Sequence, residues 1–364
     1  MRRNEGSLTV LFVESSRNFG GQEGRMVREA FWLAGKGHVA LVACSRESVL
    51  YERSMAAGLP VFAVPRRGSV EHRSLRILFG IVRGHRVGVI YFHSGKDSWL
   101  GGICGLLTGV HLVRSRELLT TGKHKSSYNL LPNRILACSD AVRRHLIESG
   151  VDGKKVFVQY PPVDTERFSS VSPSEREAIR AELRLDGHHP VIICVGEFRA
   201  EKRQIDLVFA MKILRERFPS ALLLLAGRDA GVTGVRPAAE REGVLEHVRF
   251  LGEREDVPAI LSNADVFPSS VEPFGMGPVE AMAAGVPVVV TNVGGLPEIV
   301  ADGVHGLHVP PFSPEAIAKA VTRILTEDGL RERMIAAGRE RARDFDAVSA
   351  MESLERHFRE VLSG

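Results

Sequence analysis

Short apolar runs alternate with amphipathic stretches along the whole chain, and the two periods read as strands and helices in turn. Leu8 to Val13 is compact and rich in branched residues, which predicts a buried strand. From Gln22 to Ala34 the apolar residues Met26, Ala30, Phe31, Leu33 and Ala34 follow a helical period, and Gly35-Lys36-Gly37 stops the helix. Further strands are expected at Val39 to Ala43, Val61 to Val64, Val87 to Phe92, Leu112-Val113, Arg134 to Cys138 and Val156 to Gln159, with a helix from Ser139 to Ser149. Strands apolar on both faces and separated by helices predict a parallel sheet covered on both sides.

Tyr160-Pro161-Pro162 cannot continue a central strand, and Ser169 to Ser174 has the composition of a linker. A charged helix, Glu175 to Leu183, opens a second series of the same kind. Its strands are Val191 to Val195, Ala221 to Ala226, Val248 to Leu251, Val266-Phe267 and Val286 to Thr291. Its helices are Ile205 to Arg217 and Pro278 to Ala284, then Pro314 to Leu325, Leu330 to Arg343 and Ala347 to Leu362. The pattern is that of an α/β protein with two doubly wound, Rossmann-like domains, and 364 residues are enough for two cores. Open parallel sheets bind ligands beyond the carboxyl ends of their strands. Two sheets facing a central cleft would hold a substrate there, so chemistry is expected in the strand-to-helix loops.

Composition narrows the class. Hydrophobic residues at 44% and charged residues at 25% match globular usage. The longest apolar runs, Ala221 to Ala226 and Val286 to Val290, are far below the ~20 residues of a membrane span. Leu8 to Val13 is too short for a secretory h-region, so the chain is expected in the cytoplasm. Cys44, Cys104, Cys138 and Cys194 form no C-x-x-C pair and read as free thiols. The formal net charge of +4 conceals an asymmetry: residues 1–168 carry 25 Lys and Arg against 14 Asp and Glu, net +11, whereas residues 169–364 are net −7. A basic first half is either a solvated face with no partner or one that meets an anionic surface or substrate, such as a phosphate-bearing lipid or polysaccharide. Aromatic residues at 6%, without basic–aromatic alternation, argue against nucleic acid.

Three loops carry candidate chemistry. Asn18-Phe19-Gly20-Gly21-Gln22-Glu23 joins the first strand to the first helix, where paired glycines and a helix N-terminus let a phosphate approach the backbone. It has neither the G-x-G-x-x-G nor the P-loop spacing. Gly196 to Gln204 follows the strand Val191 to Val195 and offers Arg199, Lys202 and Arg203 as a diphosphate clamp, or as surface ion pairs. Glu272-Pro273-Phe274-Gly275-Met276-Gly277-Pro278-Val279-Glu280 sets two carboxylates eight positions apart, one in a loop and one in the first turn of a helix opened by proline. Glu280 there can accept hydrogen bonds from vicinal hydroxyls such as those of ribose, and Glu272 can reach a sugar hydroxyl.

With these residues in view, the chain resembles a retaining GT-B glycosyltransferase of the family 4 type over nearly its whole length. Glu272 and Glu280 match the family's E-x7-E element, and Gly20 to Glu23 its Gly-Gly-x-Glu loop. Ser139 to Leu146, Val163 to Phe168, Gly294 to Val300 and Asp302-Gly303 with Gly306 match further family segments. The resemblance implies a nucleotide-sugar donor, a UDP-, GDP- or ADP-sugar, bound by residues 169–346, and an acceptor bound by residues 1–168, onto which the final helix 347–364 crosses back. It implies that Glu280 holds the ribose, that Glu272 contacts the donor sugar, and that Phe274, Gly275, Met276 and Gly277 face sugar and phosphates. Lys202 with Arg199 would neutralise the leaving diphosphate, while Gly196, Gly20 and Gly21 let backbone approach it. No metal or other cofactor is expected; Asp344-Phe345-Asp346 reads as a capping turn and His188-His189 as a surface turn.

The chain departs from the family in two informative places. Glu197 stands where the family has arginine, which passes phosphate contact to Arg199. Glu117 follows Val113-Arg114-Ser115-Arg116 where many members have histidine, and with His93 it is a candidate contact to donor sugar or acceptor. The expected activity is hexosyl transfer to a cell-surface glycan, lipopolysaccharide-core or lipid-linked acceptor, at the inner face of the membrane. The alternatives are a sugar-nucleotide 2-epimerase on the same scaffold and a non-catalytic nucleotide-sugar-binding protein.

Overall fold

A computed structural model describes residues 6–17, 20–65, 71–120, 126–229, 234–269 and 272–363. The chain divides into two compact units, residues 1–162 with 348–364, and residues 163–347.

In unit 1 the strands β1 (Thr9–Glu14), β2 (Val39–Cys44), β3 (Val61–Ala63), β4 (Val89–Phe92), β5 (His111–Arg116), β6 (Arg134–Ala137) and β7 (Val156–Val158) form one parallel sheet in the order β3-β2-β1-β4-β5-β6-β7. The order reverses between β1 and β4, and that switch point opens the crevice used by ligands in doubly wound folds. The helices are α1 (Gly21–Gly35), α2 (Val49–Ala56), α3 (His72–His85), α4 (Gly95–Thr108), α5 (Ser126–Leu130) and α6 (Asp140–Glu148). Alternation in β1 feeds two cores. Val10 and Phe12 pack with Met26 and Leu33 of α1, while Leu11 and Val13 pack with Leu78 and Ile81 of α3 and with Leu100 of α4.

Unit 2 begins with α7 (Thr165–Ser169) and α8 (Pro173–Glu182), and its strands are β8 (Val191–Val195), β9 (Leu222–Ala226), β10 (Val248–Gly252), β11 (Phe267–Ser269), β12 (Val288–Thr291) and β13 (Gly306–Val309). They run β10-β9-β8 and β11-β12-β13, all parallel, and a bridge from Ile192 to Val266 joins the two triplets. Between and after them lie α9 (Gln204–Arg217), α10 (Val235–Arg241), α11 (Val257–Leu261), α12 (Met276–Ala283), α13 (Leu296–Ile299), α14 (Pro314–Thr326) and α15 (Leu330–Ala342).

The final helix, α16 (Ala347–Ser363), returns to unit 1. Its apolar stripe of Ala350, Met351, Leu354, Phe358 and Val361 is buried, with Phe358 edge-on to Tyr91 at 5.2 Å. Arg134 Nη1 donates to Glu360 at 2.6 Å and Gln159 Nε2 to the Ala350 carbonyl at 2.8 Å.

The division at residues 168/169 expected from the sequence is corrected to 162/163. Val163 bridges Asp346 and its N–H donates to the Phe345 carbonyl at 3.2 Å, while Thr165 Oγ1 donates to Asp346 at 2.9 Å. These bonds tie 163–168 to unit 2, because the Tyr160-Pro161-Pro162 segment, and not the serine-rich one, is where the chain leaves the first sheet. No helix among the described residues is long and apolar enough to cross a membrane.

Candidate functional site

In unit 2 the candidate residues lie at the carboxyl ends of the strands. β8 ends at Val195, and Gly196 turns the chain with φ +147°. A single 3₁₀ turn, Ala200–Lys202, then lays the Lys202 side chain back over the strand end, its Nζ 3.1 Å from where a Cβ on Gly196 would stand. Lys202 Nζ meets Glu272 Oε1 at 2.8 Å, with both side chains about three-quarters buried. Burial behind this pair pushes the Cys194 thiol up to about 12.

The Glu272 segment is held by a bridge to Gly294 and by the Gly295 N–H, which donates to the Glu272 carbonyl at 3.0 Å. Phe274 is buried, its ring edge-on to Phe345 at 5.6 Å. Gly275 takes φ +121°, and a Cβ there would lie 2.7 Å from Leu296 Cδ2. That turn starts α12 two residues earlier than expected, at Met276 in place of Pro278. Glu280 is therefore the fifth helical residue, half-buried, and not in the first turn. The backbone N–H groups of Met276 and Gly277 have no partner within the helix, and Pro278 removes a third such donor. The helix start is thus an anion-accepting end followed by a carboxylate one turn on.

The cations beside Lys202 are engaged. Arg199 Nε donates to Glu197 at 2.8 Å, and Arg228 Nη2 donates to the other Glu197 oxygen at 2.5 Å. These two guanidinium groups, Arg228 first, hold the Glu197 carboxyl below its ordinary range. Arg203 pairs with Asp206 at 2.6 Å. Arg228 is not predicted from the sequence, since a single arginine after a strand carries no motif; the strand end Ala226-Gly227 is its only signal there.

In unit 1, Gly20 caps α1 and its N–H donates to Glu23 at 2.9 Å. A Cβ on Gly21 would meet nothing within 4 Å, so crowding does not require glycine there. Asn18 and Phe19 lie outside the described residues. Glu14, at the end of β1, accepts from the Ser16 N–H at 2.8 Å and from Gln22 at 2.9 Å. His93 directly follows β4 and is 3% exposed, its ring against Tyr91 at 4.8 Å. Its Nε2 is 3.7 Å from Glu117 Oε1, which accepts from Ser115 Oγ at 2.5 Å. Glu117, just past β5, reaches the surface and His93 stands behind it. Arg25 and Glu29 of α1 complete this cluster from below. Their signal in the sequence is a charged pair four residues apart beside the apolar stripe Met26, Ala30, Leu33.

Asp344 pairs with Arg341 at 2.7 Å, and no group of three or more His, Cys, Asp and Glu capable of holding a metal occurs among the described residues. Cys44, Cys104 and Cys138 are buried and in no disulfide, and burial pushes the Cys44 and Cys104 thiols up to about 11.

Comparison with known proteins places this geometry. Residues 19–167 match the model of Glycosyltransferase Family 4, and residues 175–341 match that of Glycosyl transferases group 1. The GDP-mannose-dependent alpha-(1-6)-phosphatidylinositol monomannoside mannosyltransferase of Mycobacterium tuberculosis is 34% identical over 277 residues, 68% of this chain and 71% of that one. Among solved structures, HepE of Anabaena in complex with UDP superposes with a TM-score of 0.87 at 22% identity, covering 97% of this chain and all of that one. WaaG, a glycosyltransferase involved in lipopolysaccharide biosynthesis, superposes with a TM-score of 0.74 at 19% identity, covering 96% and 99%. Two Rossmann-like units of parallel sheet are the GT-B fold, and the chain belongs to the family 4, group 1 glycosyltransferases.

Proposed function

We propose that this enzyme moves a hexosyl group from a nucleotide-sugar donor on unit 2, with retention of anomeric configuration, to an anionic lipid-linked or cell-surface glycan acceptor recognised by unit 1. The observation that carries the reading is the 2.8 Å ion pair between Lys202 and Glu272, with the open N-terminus of α12 and Glu280 directly after it. Cation, helix start and two carboxylates match what a nucleoside diphosphate sugar presents: phosphate charge, ribose hydroxyls and a hexose.

In this reading Glu280 takes the ribose hydroxyls, Glu272 a hydroxyl of the donor sugar, and the backbone from Phe274 to Gly277 the sugar and phosphates. Donor binding draws Lys202 from Glu272 toward the diphosphate. As the glycosidic bond breaks, negative charge grows on the leaving phosphate, and Lys202 stabilises it in place of a metal ion. Arg199 reaches the same phosphates if they displace the Glu197 carboxylate from its guanidinium. Gly196 keeps backbone close to the donor, and on unit 1 Gly20 and Gly21 leave the start of α1 open to an anion. On unit 1, Glu117 contacts the acceptor hydroxyl with His93 behind it. The acceptor class is supported by the basic charge of unit 1, by the similarity to a phosphatidylinositol monomannoside mannosyltransferase and by the likeness to WaaG, which is involved in lipopolysaccharide biosynthesis. Such an acceptor sets the enzyme to work from the cytoplasm at the inner face of the membrane.

A thermal-shift screen with UDP-, GDP- and ADP-sugars identifies the donor, because a ligand at about a hundred times its Kd adds ~2.7 kcal/mol of stability. Titration of that donor into Glu280→Ala by calorimetry is expected to show binding abolished, and unchanged affinity would overturn the assignment. Analysis of the reaction without acceptor separates transfer from 2-epimerisation, which alone would change the donor sugar's configuration at C2.

A further inference from the structure

α1 faces its sheet with Met26, Ala30 and Leu33, and on the same buried side it carries Arg25 and Glu29, 3% and 0% exposed. Arg25 Nε donates to Glu29 Oε1 at 2.5 Å. A charge pair is a costly filling for a helix–sheet interface, where apolar residues of like volume are often neutral or stabilising. The pair does not spend its hydrogen-bonding capacity on the fold either. Neither Arg25 Nη1, nor Arg25 Nη2, nor Glu29 Oε2 has a hydrogen-bond partner among the described residues.

What the pair faces is the Glu117 cluster. Arg25 Nη1 lies 3.6 Å from Glu117 Oε1, the same oxygen that accepts from Ser115 Oγ and stands 3.7 Å from His93 Nε2. Among the described residues, the other titratable groups beside Glu117 are Tyr91 on β4, Arg114 on β5 and the adjacent Arg116, whose guanidinium donates to Thr120 Oγ1 at 2.8 Å. Burial pushes the Tyr91 phenol up, which leaves it neutral. Arg114 turns away, its guanidinium 3.5 Å above the Tyr128 ring and hydrogen-bonded to Ser127. Burial opposes the charge on Arg25, but Glu29 first, then Tyr91 and Glu117, together outweigh it and hold the guanidinium above its ordinary range.

We propose that Arg25 is a positioning residue for sugar transfer: Glu29 balances its charge inside the helix–sheet interface, and its Nη1 edge holds the Glu117 carboxylate toward the acceptor hydroxyl. The inference rests on the reading of Glu117 as an acceptor contact. It explains why a pair that the fold does not need occupies the inner face of α1.

The test is hydrolysis of GDP-mannose or UDP-glucose, whichever stabilises the protein more, with water in the acceptor's place. Arg25→Met with Glu29→Leu removes both charges and leaves no lone buried ion. That double variant is expected to keep its thermal midpoint and donor KM and to lose about ten-fold in kcat. Glu117→Gln is expected to lose a similar factor, and combining it with the double variant to cost no more than either alone, which a merely structural role for Arg25 would not produce. If Glu117→Gln lowers kcat while the double variant does not, or if the two losses multiply, Arg25 does not position Glu117 and the proposal falls. If Glu117→Gln itself leaves kcat unchanged, the reading of Glu117 fails first and takes the proposal with it.

Discussion

At the scale of the residue, the two candidate catalytic groups of unit 2 hold each other. Lys202 and Glu272 are paired at 2.8 Å with each side chain about a quarter exposed, so their mutual attraction is partly screened and adds only about 0–1 kcal/mol to stability. Lys202→Ala is accordingly expected to leave the thermal midpoint nearly unchanged while lowering kcat by about a hundred-fold, the scale of losing one transition-state charge contact. Steady-state kinetics with the donor found by screening checks it; a change confined to KM would remove Lys202 from the leaving group. Glu197 shows how far a residue can be read without its neighbours. The sequence reveals that a carboxylate stands at the family's arginine position. That this carboxylate holds both Arg199 and Arg228 follows only from the adjacency of β8 and β9, where the Phe198 N–H donates to the Arg228 carbonyl at 3.0 Å.

At the scale of the element, the start of α12 depends on one backbone conformation. Gly275 at φ +121°, against Leu296 and Ile299, cannot carry a Cβ without moving them. Gly275→Ala is expected to destabilise unit 2 by about 1–3 kcal/mol in denaturant unfolding and to abolish donor binding, because the N–H groups of Met276 and Gly277 shift with it. The sequence predicts the helix start at Pro278 because proline favours a first helical turn; residue spacing does not reveal the positive φ before it. Strands were more legible. Apolar runs such as Leu222–Ala226 have one outcome in a doubly wound sheet, that of a central strand buried on both faces. α4 was the least legible helix, since Gly101, Gly102 and Gly105 break the usual propensity. Packing overrides propensity there: a Cβ on Gly102 would stand 2.7 Å from Leu131, so the helix lies closer to its neighbours than any other residue permits. In unit 1 the buried half of the candidate site, Arg25 and Glu29, was hidden because the helical period shows which face a residue shares, and not that β5 delivers Glu117 against it. α16 was legible as a helix from its stripe alone. Its place is fixed by Phe358, fully buried on Tyr91, and Phe358→Ala is expected to cost about 3–5 kcal/mol in the unfolding of unit 1.

At the scale of the whole molecule, the charge asymmetry survives the corrected division. Unit 1, residues 1–162 with 348–364, holds 26 Lys and Arg against 15 Asp and Glu, net +11, and unit 2 is net −7. The residues that change sides, 163–168 and 348–364, each carry one more acid than base, so moving them leaves both totals where they were. Part of the excess on unit 1 is concentrated on α3, where Arg73, Arg76, Arg83, His85 and the following Arg86 are exposed beside Phe79, with Arg83 over the Phe79 ring at 5.4 Å. A row of cations around one exposed aromatic is the chemistry that meets an anionic lipid surface, with the charges supplying long-range attraction and the ring a shallow anchor. If unit 1 receives a lipid-linked acceptor, the protein should co-sediment with vesicles containing phosphatidylglycerol and not with phosphatidylcholine alone. Retention should fall steeply as NaCl rises from about 0.05 to about 0.5 M, as the Debye length shrinks below ~5 Å. Replacing Arg73, Arg76 and Arg83 together by glutamine should release the protein from the vesicles while leaving donor hydrolysis intact, because α3 holds none of the candidate donor contacts. Equal retention on neutral and anionic vesicles, or retention untouched by the triple replacement, would mean that the +11 serves a soluble anionic acceptor and that α3 is only a solvated face.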